Sequence, residues 1–313
     1  MFAALARRLA GMLIVMFIVA TMVFFLTRLA PGDPAALMLG DQASLADVAE
    51  LRKMYGLDQP VVVQYALWLK ELLRGNLGQS IFLQRPVLVA IVERAEPTFL
   101  LALLSILVAT VIGVPAGIAS AVWRGRPSDQ VVSGGAMLAA SIPSFWLGLM
   151  FIQFFAVRLG WFPVAGYGPP GASFVERLYH LMLPASVLGI VNSALITRFT
   201  RASMLDVLNE DYVRTARAKG LSEARVILRH GLGNALVPII TVVGLTAALL
   251  VGGAIVTETV FGLPGIGNLV VSAVLRRDYP VIQGALIVIA GIYVLINFSI
   301  DVMYTLVDPR VKY

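Results

Sequence analysis

The stretch NEDYVRTARAKGLSEARVILRHGLGNALVP, residues Asn209–Pro238, is a long polar run with apolar segments on both sides. Seven basic residues lie in it or just before it: Arg198, Arg201, Arg214, Arg217, Lys219, Arg225 and Arg229. A basic cluster between two membrane spans is typical of a cytoplasmic loop, because loops rich in Lys and Arg stay on the inner side. The stretch therefore predicts a membrane protein and indicates which side this loop faces.

The spacing of residues within this stretch predicts a helix, a turn and a second, short helix. Tyr212, Ala216 and Gly220 recur every four positions and so share one helical face. Two of the three are small, which would let another surface approach the backbone closely. Gly220 suits the left-handed position that ends a helix, and Ser222 suits the N-cap of the next one. The pattern alone also fits an ordinary solvated loop.

The composition excludes an ordinary soluble domain. Of the 313 residues, 59% are apolar and 13% are charged, against about 25% charged in soluble proteins, and the mean hydropathy is +0.87. The net charge of +6 fits basic inner loops and not a nucleic-acid surface, because the basic residues are not interleaved with aromatic ones. The chain has no cysteine, and His180 and His230 have no second ligand at metal-binding spacing, so no metal site is expected.

Six apolar runs predict six membrane-spanning helices, since about 20 apolar residues cross a bilayer. The first run, Leu9–Leu26, has a core too long for a cleaved signal peptide. The others are Pro97–Val122, Val131–Val157 (interrupted at Ser141, Pro143 and Ser144), Leu181–Ile196, Leu236–Val256 and Ala285–Leu306. The fold class is therefore an all-α polytopic membrane protein. An even number of spans puts both termini on the same side, and the basic residues of the cytoplasmic loop and of the C-terminus (Arg310 and Lys312) predict that this side is the cytoplasm.

Two of these spans carry small residues at every fourth position. The stripes are Gly113, Gly117 and Ala121 in the second span and Gly244, Ala248 and Gly252 in the fifth. Such stripes let helices approach closely in lipid. We interpret them as packing surfaces, with the lining of a pathway as the alternative.

The domain organisation follows from the spacing of the spans. Residues 1–29 form the N-terminal span, residues 30–96 an extracytoplasmic helical insertion, and residues 97–313 the transmembrane core with a cytoplasmic loop at 198–235. In the insertion, Leu45–Leu57, with caps in Asp41–Ser44, and Val61–Gly75 each predict an amphipathic helix. The insertion is either an elaboration of a loop or a docking platform for an extracytoplasmic partner.

The sequence lacks the groups that would power transport or catalysis. Ionisable residues are nearly absent from the predicted spans, and Glu96, Glu258 and Asp301 fall at span ends; an ion-driven transporter would carry such groups inside its spans. No GxxxxGK[ST], HExxH or GxSxG motif occurs, so no phosphate-binding loop and no hydrolase site is expected. The pore would therefore be driven by another protein, unless the chain is a passive channel or a membrane scaffold.

The basic stretch resembles the cytoplasmic EAA loop of ABC importer permeases. That motif places Glu-Ala-Ala six residues before a glycine and an I-x-L-P element about ten residues further on. Here Thr215-Ala216 stand for the small residues, Gly220 for the glycine and Leu232 for the leucine. Arg214 replaces the glutamate and Gly233 the proline. The variant RTARAKGLSE…RH…NALVP is similar to the form used by the dipeptide, oligopeptide and nickel branch.

Further motifs extend the resemblance over the whole chain: LAPGDP (Leu29–Pro34), YGLDQP (Tyr55–Pro60), GNLGQS (Gly75–Ser80), GGAIVTETVFGLPGIG (Gly252–Gly267) and DPR (Asp308–Arg310). The resemblance implies a type I ABC importer permease of the bacterial inner membrane. It implies as partners a second, homologous permease, two ABC ATPase subunits that bind ATP and Mg, and an extracytoplasmic solute-binding protein, with no cofactor and no catalytic residue in this chain. The implied ATPase-coupling residues are Arg214, Thr215, Ala216, Ala218, Lys219, Gly220, Leu221 and Ser222.

The substrate is less closely defined than the family. The resemblance implies di- or oligopeptides first, with nickel chelates and glutathione as alternatives. Candidate pathway residues are Ser141, Ser144, Asn192, Ser193, Thr246 and Asn297. Their hydroxyls and amides could bind a peptide backbone, but they could equally connect helices in lipid.

Overall fold

A computed structural model describes residues 2–29, 44–54 and 56–307, and the regular elements in these ranges are helices, apart from one bridge between Gln79 and Pro86. The helices are α1 (Phe2–Leu29), α2 (Leu45–Met54), α3 (Val61–Leu73), α4 (Val87–Val122), α5 (Pro127–Ser141), α6 (Ser144–Phe151), α7 (Phe174–Leu208), α8 (Asp211–Ala218), α9 (Glu223–Arg225), α10 (Gly233–Gly253), α11 (Ile255–Val260), α12 (Ile266–Leu275) and α13 (Tyr279–Val307). Two π-helical segments follow α6 and α9, at Ile152–Arg158 and Val226–Leu232. The predicted all-α class is confirmed.

Among the described residues, five helical stretches are long and apolar enough to cross a membrane: Arg7–Arg28, Val87–Val122, Phe174–Leu208, Glu223–Gly252 and Tyr279–Ile300. A sixth candidate is α5 together with α6 and its π-helical extension, which are bent by 97° at their junction. The predicted interruption of this span lies at the junction, because Pro143 disfavours the helical conformation of Ile142, which is extended (ψ 125°). Six spans result when the bent pair is counted as one.

The predicted span boundaries were too short in three places. Helix α4 begins at Val87 and not at Pro97, α7 extends beyond Leu181–Ile196 at both ends, and the fifth span begins at Glu223. The length of the apolar run corresponds to the thickness of the bilayer, whereas the helix itself continues until a helix-breaking residue or a cap ends it. Ser173 supplies such a cap to α7, since its Oγ accepts a hydrogen bond from the Glu176 amide at 3.2 Å.

Two compact units make up the chain: a core unit of residues 97–264 and 293 onward, and an N-terminal unit of residues 2–96 and 265–292. In the core unit, α4 and α7 touch along the predicted glycine stripe. A Cβ atom at Gly117 would lie 2.6 Å from Thr200 Cβ and 2.7 Å from the Thr197 carbonyl oxygen, and one at Gly113 would lie 2.8 Å from Ile196 Cβ. The packing interpretation of this stripe is confirmed.

Gly117→Ala is expected to destabilise the protein, because the added methyl group would force apart two helices that are in contact at backbone distance. Overpacking of this kind costs about 1–3 kcal/mol, so the thermal midpoint should fall by several degrees. Gly134→Ala in α5 is the matched control, since its Cβ would meet no described atom within 4 Å. A thermal melt of both purified variants checks this; equal midpoints would contradict the close packing.

The second stripe is confirmed in part. A side chain at Gly244 would collide with Ile300 of α13, and Ala248 is buried. A Cβ at Gly252, by contrast, would meet no atom of the described residues within 4 Å. Only the first two positions therefore pack a helix within the core unit.

The N-terminal unit has its own hydrophobic core, formed where the first turns of α4 meet α12 and α13: Val87, Ala90, Ile91, Ile266, Leu269, Val270, Ala273, Val281 and Ala285. Buried Asp278 joins the loop before α4 to the start of α13, because it accepts hydrogen bonds from Ser80 Oγ (2.5 Å) and the Phe82 amide (3.1 Å).

The two amphipathic helices predicted for the insertion are present as α2 and α3. The predicted caps at 41–43, most of LAPGDP, Tyr55 of YGLDQP and the terminal DPR lie outside the described residues.

Candidate coupling site

The basic stretch folds as the predicted helix and turn, centred on Gly220. Helix α8 ends at Ala218, Lys219 caps it, and Gly220 is left-handed with φ +76°. Glycine favours this position because it lacks a Cβ atom. Ser222 stands at the N-cap of α9 with extended backbone (φ −63°, ψ 143°). The predicted second helix is not a separate short one, because α9 continues through Val226–Leu232 into α10 without a break.

The inner face of α8 packs against its own chain. Val213, Ala216 and Val226 form a buried cluster, which Leu208 and Leu221 partly cover. Ala216 is only 5% exposed, so the expectation that it leaves an open face for another protein was wrong. Its small side chain instead lets α8 lie close to the helix that follows the turn.

The outer face of α8 and its turn is open and carries most of the predicted coupling residues. Those that are exposed are Arg214, Thr215, Ala218, Lys219, Gly220 and Ser222, whereas Leu221 is half-buried. Tyr212 and Arg217, which were not among the predicted coupling residues, are exposed beside them. The chain therefore presents a short helix with three cationic side chains and a glycine at its end, mounted on a buried apolar base.

Two solvent-exposed ion pairs lie on this surface. Arg217 Nε lies 2.9 Å from Glu223 Oε1 and bridges the Gly220 turn from α8 to α9. Arg214 pairs with Asp211 at 3.0 Å on its own helix. Partial burial raises the pKa of the Tyr212 hydroxyl, and the Glu210 carboxylate adds to the rise. The Tyr212 hydroxyl therefore stays neutral at physiological pH and can donate a hydrogen bond.

A second polar cluster connects the C-terminal part of α7 to the first turn of α5 and to the turn before it. Asp129, whose side chain is 7% exposed, accepts hydrogen bonds from Arg201 Nε (3.0 Å) and Arg201 Nη2 (2.9 Å). The same carboxylate accepts from Ser120 Oγ (2.5 Å) and from the Gly125 amide (3.0 Å). Sequence reasoning missed this cluster, which we call the Asp129 clamp. Its one visible signal was an acidic residue beside the basic turn Arg124–Pro127.

The helix that follows the Gly220 turn packs on α7. A Cβ at Gly231 would lie 3.0 Å from Met204 Cε and 3.2 Å from Leu208 Cδ2. Met204 is fully buried in a cluster with Ala235. Helix α8 therefore packs, through Val213 and Ala216, on a helix that is itself packed closely on α7.

Residues 113–313 match the family of binding-protein-dependent transport system inner membrane components, and residues 1–102 match the N-terminal model for the membrane component of these systems. The chain belongs to this family of ABC importer permeases. Two relatives are each 45% identical: a probable peptide ABC transporter permease of Sinorhizobium fredii, over 98% of both chains, and a putative peptide transport system permease of Brucella abortus, over 100% of both. A glutathione transport system permease of Escherichia coli O6:H1 is 42% identical over 98% of both.

Solved structures show that the permease shares its fold with another importer. One inward-facing crystal form of the MetNI methionine ABC transporter gives a TM-score of 0.60 at 20% identity, covering 71% of this permease and 97% of that chain. A second crystal form gives 0.59 at 21% identity, covering 69% and 95%. The permease is thus a multi-pass protein of the inner membrane, with the helical core of an ABC importer.

The candidate pathway residues of the permease lie on five different helices, and those with assigned side-chain bonds bond their own backbone. Ser141, Asn192, Thr246 and Asn297 each donate to the carbonyl four residues earlier at 2.7–2.9 Å, and Ser193 donates to that of Ile190 at 2.7 Å. Ser144 lies in the first turn of α6. Hydrogen bonds of this kind are satisfied within one helix, so these residues need no partner from another helix, and their role in the pathway stays a prediction.

Two acidic residues of the permease are more deeply buried than their place in the sequence indicated. Glu258 lies in α11, just after the fifth candidate span; it is fully buried and accepts a hydrogen bond from Thr98 Oγ1 at 2.6 Å. Asp129 is buried in its clamp.

His180 has a structural contact, with Nδ1 at 3.2 Å from the Gly166 carbonyl oxygen. Within the described part of the chain, no group of three His, Asp or Glu residues could hold a metal ion.

Proposed function

We propose that this permease forms, with a homologous second permease, the translocation pathway of an ATP-driven importer of di- or oligopeptides. Two ABC ATPase subunits on the cytoplasmic side bind ATP and Mg, and this chain contributes no cofactor and no catalytic residue. An extracytoplasmic solute-binding protein delivers the substrate. Both termini lie in the cytoplasm, and the membrane is the bacterial inner membrane. The observation that carries the proposal is the exposed outer face of α8 on a buried base.

The outer face of α8 is the surface that binds the ATPase subunits. Arg214, Thr215, Ala218, Lys219 and Gly220 contact the ATPase, whereas Ala216 and Leu221 hold α8 to the permease from inside. A ligand shifts an equilibrium between two states only through contacts that differ between those states. ATP binding closes the two ATPase subunits on each other. The ATPase surface that binds α8 moves with them, and α8 transmits this movement to the spans.

The Asp129 clamp carries that movement further into the core unit. Helix α7 ends beside α8, and Arg201 lies ten residues before α8 begins. A displacement of α8 therefore acts on α7, and through Arg201 on the turn between α4 and α5. Packed interfaces switch between discrete arrangements and do not deform continuously, so a rigid connection of this kind suits two-state gating.

The extracytoplasmic side of the permease receives the solute-binding protein. Residues 30–96 form an extracytoplasmic insertion, and the outer segment around 257–283 lies on the same side by alternation of the spans. Selectivity resides mainly with the binding protein, and the candidate pathway residues on the spans supply sequence-tolerant hydroxyls and amides.

Peptides are the substrate class that the relatives favour, since the 45% identical permeases are named for peptide transport. Glutathione is the second candidate, because a glutathione permease is 42% identical. A deletion strain complemented with the intact transporter should take up radiolabelled dipeptide, with glutathione and nickel as competitors. Dipeptide uptake that unlabelled glutathione does not reduce supports the peptide class. Uptake of glutathione or nickel alone contradicts it.

A passive channel is the alternative from another class. The purified permease reconstituted without ATPase subunits should conduct no solute, whereas a channel would conduct alone. ATPase subunits should also co-purify with the tagged permease. Steady solute flux through the chain alone would overturn the proposed function.

A further inference from the structure

The described residues of the N-terminal unit leave an apolar face of α3 exposed. Val62, Leu67 and Leu73 are 77%, 53% and 81% exposed, whereas the polar side chain of Gln64 is buried. A helix that lies in water has the opposite arrangement, with its polar residues outward. Lys70 and Arg74 are also exposed, seven or more residues after the valines. At about 100° per residue Lys70 falls on the same side of α3 as Val62 and Val63, so this face is apolar toward its N-terminal end and basic toward its C-terminal end.

The other face of α3 is fixed to α1 by an aromatic cluster. The Tyr65 hydroxyl lies 2.7 Å from Thr21 Oγ1. The ring of Phe24 is 5.2 Å from the centroids of both Tyr65 and Trp68. Phe24 is fully buried in these contacts. Helix α3 therefore has a defined position against α1.

That position lies within the membrane-spanning part of α1. Thr21 belongs to the spanning stretch Arg7–Arg28, and it stands five residues before Leu26, the last residue of the apolar run. At about 1.5 Å per residue this places Thr21 roughly 8 Å inside the end of that run. Arg28, which hydrogen-bonds Gln64, marks the polar boundary above it.

We propose that α3 is an interfacial helix embedded in the leaflet that contains the C-terminal end of α1. Its exposed face contacts lipid acyl chains. This face continues the lipid-facing surface of α1 itself, where Leu13 is 71% exposed. Interfacial helices sit about 5–10 Å into the boundary between headgroups and chains, which matches the level of Thr21. Tyr65 and Trp68 are residue types enriched at that boundary.

The location of α3 changes the role of the insertion. The segment after α1 is then anchored to the bilayer through α3, and only its remaining part is free to meet a soluble partner. Lys70 and Arg74 can extend toward the headgroups while their stems lie along apolar surface. This inference depends on α1 crossing the membrane and holds whichever solute the permease carries.

The absence of cysteine from the chain allows a direct test with single nitroxide labels. Val62→Cys and Leu67→Cys report on the exposed face of α3. Asp58→Cys, in the exposed turn just before α3, is the water control, and Leu13→Cys is the lipid control. Each labelled permease is reconstituted as the full transporter in phospholipid vesicles. Collisions with oxygen, which concentrates in lipid, are compared with collisions with a water-soluble nickel chelate.

At Val62 and Leu67 we expect an oxygen-to-chelate ratio several-fold higher than at Asp58 and close to that at Leu13. A ratio like that of Asp58 would show that the face is in water and would overturn the proposal. Shielding from both collision partners would show that a protein covers it, which overturns it equally. If Leu13 itself reports water, α1 does not span the membrane, which is a failure of the membrane assignment and is distinguishable from the other two outcomes.

Discussion

Gly220→Trp is expected to reduce ATP-driven uptake at least about tenfold, while the spans stay folded and ATP hydrolysis becomes independent of substrate. A non-glycine residue at φ +76° strains the backbone by about 1–2 kcal/mol. The indole would also project from the surface that we propose binds the ATPase, because a Cβ at Gly220 meets no described atom within 4 Å. A loss of 1.4 kcal/mol in docking is already a factor of about ten. Uptake and hydrolysis are measured in the same vesicles.

Gly160→Trp is the matched control for this variant. Gly160 is also left-handed (φ +65°), and a Cβ there also meets no described atom within 4 Å. The substitution therefore adds the same bulk and similar strain in the loop after the first π-helical segment, away from α8. Normal uptake by Gly160→Trp with loss of uptake by Gly220→Trp assigns the effect to docking. Normal uptake and normal ATPase binding in Gly220→Trp would exclude α8 as the site of coupling.

Asp129→Asn is expected to lower uptake per ATP hydrolysed severalfold and to lower the thermal midpoint by a few degrees. The amide keeps the size of the side chain but loses the charge that binds both Arg201 nitrogens, which leaves the Arg201 guanidinium without its carboxylate. Arg201→Lys should also lower both the uptake per ATP hydrolysed and the thermal midpoint, because an ammonium group cannot reproduce the two-nitrogen contact. The measurements are a thermal melt and the ratio of uptake to hydrolysis in the reconstituted transporter.

Arg198→Gln is the control for the Asp129 clamp, since Arg198 is an exposed arginine on the same helix three residues earlier. It removes one positive charge near the same place and should change neither the melt nor the ratio. A lower midpoint in Asp129→Asn with an unchanged ratio would mean that the clamp only stabilises the fold. An unchanged midpoint and ratio would remove any role for it.

The features that the sequence predicted correctly are those with local causes. Gly220 ends α8 because of its own conformational freedom, and Pro143 breaks the third span because of its effect on the residue before it. The alternation of apolar and polar segments located the spans for the same reason. Each of these depends on a few neighbouring residues, so one sequence is enough to recognise it.

The features that the sequence missed depend on distant residues. Asp129 and Arg201 are 72 positions apart, and only the packing of α5 on α7 brings them together. Ala216 was assigned to an open face because its burial depends on Val226, which lies ten residues later, on the other side of the Gly220 turn. The lengths of α4 and α7 were underestimated because hydropathy identifies only the apolar part of a helix that would cross the lipid. Both helices continue beyond that part.

The central claim is that this permease is moved from the cytoplasm through α8. The most direct test replaces residues 211–220 with a Gly-Ser segment of equal length and measures ATP-driven accumulation of labelled dipeptide by the transporter in vesicles. The account predicts that accumulation is lost and that the ATPase subunits no longer co-purify, while the variant remains in the membrane at normal abundance. Accumulation at the unmodified rate would contradict it.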